Sequence, residues 1–346
     1  MKRKNTSASN KVVRKTFVKN IKINKIYKVF KSKLNKHIKL NKFAVGVSGG
    51  SDSLSLAYFS AKYQKEFKNK VFFFIVDHKI KKDSSKESTN AKKILKKKGI
   101  NAKILTWKGS IPFSNIQSKA RLMRYSLIEK ECTKNRIPFL LTAHHQDDQI
   151  ETFLIRLTRG SGINGLSSMS EVISFNNNLK IIRPLLKVNK DDLKYVASTI
   201  FKDYINDPAN ENKNFLRVRI RNLRRSLELD GFKINRILNT INNLKKAKKA
   251  LEFYKNLALK KHVKYIKNYS CIISINLILD ESEEITFRCF SEIFVSVSGT
   301  YYPPRSTKIS RLINSLKKVN FKKSSLGNCL IQKKQDFIII TKNKKN

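Results

Sequence analysis

"FAVGVSGGSDSLSLAYF", residues 43–59, reads as a strand, a tight turn and a helix in immediate succession. Phe43 to Val47 is a short apolar run of the kind that forms a buried strand. Ser48, Gly49, Gly50, Ser51, Asp52 and Ser53 follow, and an apolar-periodic stretch then predicts a helix to about Lys65. A helix entered this way leaves its first N–H groups unpaired, with the positive end of its dipole behind them. Glycine lets the backbone curl and approach a ligand closely. Together these make a site for phosphate or pyrophosphate. The hydroxyls of Ser48, Ser51 and Ser53 add donors. Asp52, the one carboxylate of the loop, offers an oxygen ligand to Mg²⁺. A lysine here would block the backbone approach, which explains why this stretch carries none. An ordinary capped strand–helix turn can also hold two glycines, so the flanking sequence has to decide.

Outward from this stretch the same alternation continues. "VFFFIVDH" (71–78), "AKILTW" (102–107) and "PFLLTAHH" (138–145) read as strands. Between and after them, residues 84–100, 115–135 and 147–159 have helical spacing. Alternating strands and helices with short connections predict a parallel twisted sheet with helices on both faces, an α/β fold. Ligands of such sheets bind at the carboxyl ends of the strands. Ser48, the pair Asp77–His78 and the pair His144–His145 all stand at predicted strand ends. From about Asp230 the chain is lysine-rich and reads as mainly helical, becoming mixed toward the C-terminus. The expected organisation is a basic arm over 1–40 with a helix near 26–34, an α/β domain over 41–228, and a smaller basic, mainly helical region over 229–346.

Charge is the outlier of the composition. Of 346 residues, 74 are Lys or Arg and 25 are Asp or Glu, a formal charge of +49. Self-repulsion on that scale points to a polyanionic partner, most simply nucleic acid. Abundant Lys, Asn and Ile also fit compositional drift. With 40% hydrophobic residues the chain can bury true cores, and its length favours two domains. The four cysteines, Cys132, Cys271, Cys289 and Cys329, are scattered with no CxxC, which argues against a structural zinc site or a disulfide framework and for a reducing compartment. No apolar run is long enough to span a bilayer. The basic start lacks the apolar centre of a secretory signal, so a cytoplasmic location is expected, with an organellar one as the minor alternative.

"SGGSDS" (48–53) lacks the lysine of GxxxxGK[ST] and resembles the PP-loop, the signature of ATP pyrophosphatases that cleave ATP to AMP and pyrophosphate. Four further blocks are similar to those of tRNA(Ile)-lysidine synthetases: "FIVDHKIKKDSSKEST" (74–89), "NIQSKARLMRY" (115–125), "IIRPLL" (181–186) and "NDPANENKNFLRVRIR" (206–221). The most specific is "LTAHHQDDQIETFLIRLTRGSGINGL" (141–166); "GTYYPPRSTKISRLINSLKK" (299–318) and "SLGNCLI" (325–331) resemble the tail of some members. The resemblance spans roughly 41–345.

It implies ATP with Mg²⁺ and L-lysine as co-substrates, and as partner an isoleucine tRNA with the anticodon CAU. ATP adenylates O2 of the wobble cytidine, the lysine ε-amine attacks C2, and AMP leaves. Ser48 to Ser53, Asp77 and His78 would bind ATP. Asp52, Arg121, Asp148 and Glu151 would carry the chemistry, with Arg121 on the α-phosphate and Asp148 and Glu151 on lysine. Arg124, Arg217 and Arg219 would contact phosphates or tRNA. The residue chemistry is compatible: Glu151 lies four and three residues from Asp147 and Asp148 on one helix, and carboxylates hold an ammonium or take its proton. The dipole alone would also favour acids there, and a metal cluster of His144, His145 and these acids is a further reading.

Three departures from the family pattern stand out. Lys79 replaces a usual Gly, Val218 a usual Asn, and "NLRRSL" follows where H-E-LLP is common. The last two fall at 218–227, beside the residues implied to contact phosphates or tRNA. A PP-loop tRNA thiolase would need reactive cysteines, and a catalytically inactive basic RNA-binding protein would not release pyrophosphate. Oligomeric state stays open, a homodimer being one option.

Overall fold

A computed structural model describes residues 20–39, 41–80, 83–109, 116–176, 178–205, 212, 214–231, 233–267, 269–300 and 302–343. Residues 1–19 of the expected arm lie outside them. The chain divides into two units between Asn239 and Thr240.

In chain order the first unit holds α1 (Ile21–His37), β1 (Phe43–Val47), α2 (Ser51–Phe67), β2 (Val71–Asp77), α3 (Ser84–Lys96), β3 (Ala102–Thr106), α4 (Ile116–Lys134) and β4 (Phe139–Leu141). It continues with α5 (Gln146–Leu157), α6 (Ile163–Leu166), β5 (Val172–Ser174), β6 (Lys180–Ile182), α7 (Lys190–Phe201) and α8 (Leu216–Leu229). Six strands form one sheet in the order β3-β2-β1-β4-β6-β5. The pairs β2–β3, β1–β2, β1–β4 and β4–β6 are parallel, and β5 is antiparallel at the edge. Central β1 is apolar along its whole length because helices cover both its faces. Its carboxyl end, and those of β2, β4 and β6, deliver Ser48, Asp77, His144–His145 and Arg183 to one edge of the sheet.

The expected arm begins differently from an arm. Ile23, Ile26, Tyr27, Phe30 and Leu34 recur at helical spacing, and all are buried in the core shared with β1 and α2. Tyr27 and Phe30 lie 6.0 and 5.7 Å from the Phe59 ring. Asn20 caps the helix by accepting from Ile23 N. Full burial of one such side chain stabilises by about 2 kcal/mol. The helix expected near 26–34 is therefore present, and it is packed into the α/β core instead of standing apart as an arm.

The second unit runs from within α9 (Ile234–His262) through β7 (Val263–Lys267), β8 (Ser270–Ser274), α10 (Asn276–Leu279), α11 (Glu283–Ser298), α12 (Ser306–Leu316), β9 (Lys323–Leu326), β10 (Cys329–Lys334) and β11 (Phe337–Lys342). To the expected helices it adds a five-stranded antiparallel sheet, β7-β8-β11-β10-β9. Cys271, Ile273, Ile338, Ile340, Cys329 and Ile331 share a core with Phe290, Ile293 and Phe294 of α11 and Ile309 and Ile313 of α12. The strands have only four to six residues each, too few for a period of two to stand out.

Candidate active site

The turn between β1 and α2 takes the geometry its residues suggest. Gly49 has φ +90°, and a Cβ there would stand 2.7 Å from Ile205 Cδ1 and 3.0 Å from the Ala91 Cβ. Both backbone conformation and space demand glycine. Gly50 is the N-cap of α2 and offers no side-chain acceptor, so the first-turn amides of Ser51, Asp52 and Ser53 remain for a ligand. The three serines do not act alike. Ser53 Oγ accepts from the amides of Ser48 and Gly49, both at 3.1 Å, and donates to Gly50 O. It shapes the loop from inside. Ser48 Oγ donates to Ser53 Oγ, and Ser51 Oγ to Asp52 Oδ1.

His145 links this loop to the acidic helix α5. The ring is 4% exposed, and its Nε2 lies 3.5 Å from both Asp52 Oδ2 and Asp148 Oδ2. Asp148 also accepts from His145 N at 3.0 Å, closing the N-terminus of α5. Burial alone would lower the His145 pKa, but the bond to Asp52 and the charges of Asp148, Asp52 and Asp147 outweigh it and raise the pKa. Burial would raise that of Asp52; the His145 ring and its charge, Lys190 and Ser51 overcome this and hold the carboxyl below its ordinary range. The sequence reading missed both His145 as a hub and Lys190 as a neighbour of Asp52. Lys190 opens α7, and the loop before it is tied to α5 by Gln146 N donating to Val188 O.

Helix α8 packs against α5 and meets its acids with arginines. Glu151 is 2% exposed; Arg221 Nε donates to its Oε1 at 2.8 Å, while Oε2 is buried with no partner among the described residues. Arg224 Nη1 stands 2.6 Å from Asp147 Oδ2, and Arg224 Nε donates to Glu228. Arg217 and Arg221 share a face of α8, whereas Arg219 points away; Arg217 and Arg219 are exposed. Val218, in place of the usual Asn, is buried.

Asp77 is fully committed to its own turn. It accepts from Ser84 Oγ at 2.6 Å, Ser85 Oγ at 2.8 Å and Lys79 N at 3.2 Å. Against the effect of burial these bonds hold its carboxyl below the ordinary range. Lys79, where glycine is usual, has φ +55°, and its Nζ lies 3.3 Å from Asp77 Oδ2. Beside it, His78 Nδ1 accepts from Ile80 N. On α4, Arg121 Nη2 donates to Tyr125 OH, and Arg124 is exposed one turn on. His144 Nδ1 is 2.9 Å from Thr142 Oγ1. Burial, then the charges of Arg183, Arg121 and Arg217, push its pKa well below the ordinary value, opposite in direction to the shift at His145.

Among the described residues no group of three His, Cys, Asp or Glu side chains is placed to hold a metal, and no helix is long and apolar enough to cross a membrane. All four cysteines are free and buried. Burial pushes the thiols of Cys132, Cys271 and Cys289 up to about 12 and that of Cys329 to about 11, the opposite of a reactive thiolate.

A family model described as a PP-loop domain matches residues 19–226. The tRNA(Ile)-lysidine synthase of Wolbachia pipientis wMel is 34% identical over 305 residues, covering 87% of this chain and 70% of that protein. The enzyme of the same name from Orientia tsutsugamushi (strain Boryong) is 32% identical over 311 residues, 86% of this chain and 69% of that one. That from Rickettsia bellii (strain OSU 85-389) is 30% identical over 329 residues, covering 91% and 73%. Among solved structures, the U34-tRNA thiolase NcsA from Methanococcus maripaludis superposes with a TM-score of 0.56 at 21% identity, over 66% of this chain and 81% of that chain, a likeness of fold.

Proposed function

The chain belongs to the tRNA(Ile)-lysidine synthase family of PP-loop enzymes, and from that premise we propose that it joins lysine to the wobble cytidine of a CAU-anticodon isoleucine tRNA at the expense of ATP. One arrangement carries the reading: His145 stands between the phosphate loop at Asp52 and the acids of α5, so an activated nucleotide and an amine can be held side by side. Cytidine O2 attacks the α-phosphorus of ATP and pyrophosphate leaves. The lysine ε-nitrogen then attacks C2, the C2–O bond breaks and AMP leaves with both electrons.

The open amides of Ser51 to Ser53 receive the β- and γ-phosphates, which become the pyrophosphate. Their dipoles are fixed before the charge develops, so little reorganisation is needed in the transition state. Asp77 and His78 flank this site, Asp77 by fixing the β2–α3 turn. Asp52, ionised by its surroundings, is the one loop carboxylate suited to Mg²⁺ brought with the phosphates; the ion would neutralise charge on the leaving pyrophosphate. Lys190 adds a fixed charge beside it. Arg121 contacts the α-phosphate, and Arg124, Arg217 and Arg219 the RNA.

Asp148 and Glu151 hold the lysine ammonium and take its proton so that a neutral amine attacks. The unpartnered Glu151 Oε2 is the support for this role: a buried carboxylate oxygen without a donor is costly. The acidic and phosphate-binding parts would be useless to a thiolase without an accessible thiolate. The relatives are bacterial, and the reading places the reaction in the cytoplasm.

The test is pyrophosphate release with Mg-ATP in the presence and absence of the tRNA. RNA-dependent release that needs no lysine is expected, since adenylation comes first. Release that requires lysine, or none at all from folded protein, would refute this order of events.

A further inference from the structure

Arg183 follows β6 and is 7% exposed. Its Nη1 donates to Ser170 O at 2.8 Å, while its Nε is buried with no partner among the described residues. A buried donor left unpaired costs about 1–3 kcal/mol, and a native structure that keeps one calls for a reason. Its surroundings sharpen the point. Arg121 and Arg217 turn the same sign of charge toward the neutral His144 that Arg183 does. The carboxylate whose charge reaches Arg183 is Asp148, already shared with His145. The cations felt at His144 thus outnumber the one carboxylate, already shared, that reaches Arg183.

The order of the sheet says which anion. The expected ATP site spans the ends of β2 and β1, with Asp77 and His78 on one and the loop on the other. β4 and then β6 follow on the far side of β1. At a strand spacing of about 4.8 Å, Arg183 stands roughly 10 Å along the edge from the loop, on the side away from ATP's nucleoside. That is where the acceptor substrate has to enter.

We propose that Arg183, with Arg217, forms a phosphodiester site at the carboxyl ends of β4 and β6, occupied by the RNA backbone phosphate beside the base that is modified, while Arg121 stays on the α-phosphate of ATP. The planar fork of arginine suits two phosphate oxygens at once. His144, whose other ring nitrogen lies 2.9 Å from Thr142 Oγ1, adds a ring N–H as a donor. Arg183, locked by Ser170 O, fixes the phosphate and thereby the base next to it. The inference rests on the lysidine reading only for the choice of RNA, because phosphate contact is measured apart from any lysine adduct.

The test uses the full chain and anticodon stem-loop RNAs that each carry a single neutral methylphosphonate in the loop. Affinity is measured for the wild type, Arg183→Met and Arg183→Lys, with ATP binding and melting temperature followed in parallel. For the wild type, one methylphosphonate next to the target cytidine should weaken binding about tenfold, the scale of a lost charge-assisted contact. In Arg183→Met that same RNA should bind no worse than the unmodified one, with ATP affinity within about twofold, since the lost contact is the RNA's alone. Arg183→Lys should retain part of the sensitivity. No sensitive phosphate beside the cytidine in the wild type overturns the proposal whether or not the variants fold. So does equal sensitivity in Arg183→Met, or a loss of ATP affinity with RNA binding intact, which would assign the pocket to the nucleotide. A lysine adduct found on another base would sink the reading of the reaction but leave the phosphate footprint standing.

Discussion

At the scale of single residues, two neighbouring glycines of the loop answer to different constraints. Gly49→Ala forces a Cβ against Ile205 at a positive φ and should cost about 2 kcal/mol or more of stability. The second change Ile205→Ala would restore only the steric part. Gly50 has φ −74°, and the nearest atom to its would-be Cβ is 3.8 Å away. Gly50→Ala should therefore leave the melting temperature nearly unchanged and weaken ATP binding. A large drop in melting temperature would show that Gly50 serves the fold. The Asp52–His145 pair makes a prediction in pH. His145 is raised, so its share of the stabilisation is complete below the ordinary His value of 6.5 and fades as pH rises through the folded value. Asp52 is lowered, so its share is complete above the ordinary Asp value of 3.8 and fades as pH falls through the folded value. Asp52→Asn should thus lower the melting temperature more near about pH 5 than near about pH 9. A difference independent of pH would contradict the pairing. The need for glycine at 49 was legible from the sequence, because turn and helix adjoin. The role of His145 was not, because Asp52 and His145 meet only when β1 and β4 pair.

At the scale of elements, α5 and α8 are the packed pair to which the proposal assigns lysine. The acids of α5 were legible as one helical face. That Glu151 would meet Arg221 and Asp147 would meet Arg224 was not, because helical period gives the face and not its partner. Arg221 and Arg224 lie on the face of α8 that packs on α5, so the motif "FLRVRIR" spends part of its charge on protein and part outward. Glu151→Gln should raise the KM for lysine by about tenfold or more while RNA-dependent pyrophosphate release persists, since a lost ionic contact is worth about 1.5–3 kcal/mol. Equal loss of both steps would move Glu151 out of the lysine site. Arg183, too, escaped the sequence reading: "IIRPLL" served there only as a block of resemblance, and only the pairing of β6 with β4 brings its strand end beside that of His144.

At the scale of the whole molecule, each unit has its own core, the first around β1 and α2, the second between its sheet and α11. A chain ending at Asn239 should keep ATP binding and lose tRNA affinity, with a shallower salt dependence because fewer phosphates are neutralised. Parallel loss of ATP binding would contradict a self-sufficient α/β domain. The α/β order was legible because strand and helix periods alternate over long stretches. Helix α1 was legible near 26–34, but its packing into the α/β core was not, because its apolar residues are interleaved with lysines. The second sheet was hidden by short strands, although Gly327 and Asn328, both at positive φ, mark the hairpin between β9 and β10. The central claim is the transfer of lysine to cytidine, and nucleoside mass spectrometry tests it most directly. The protein is incubated with Mg-ATP, isotope-labelled lysine and a CAU-anticodon isoleucine tRNA transcript, and the RNA is digested. A labelled lysine adduct on cytidine, absent with Asp52→Asn, is the expected result; unmodified cytidine from folded, ATP-consuming protein would contradict it.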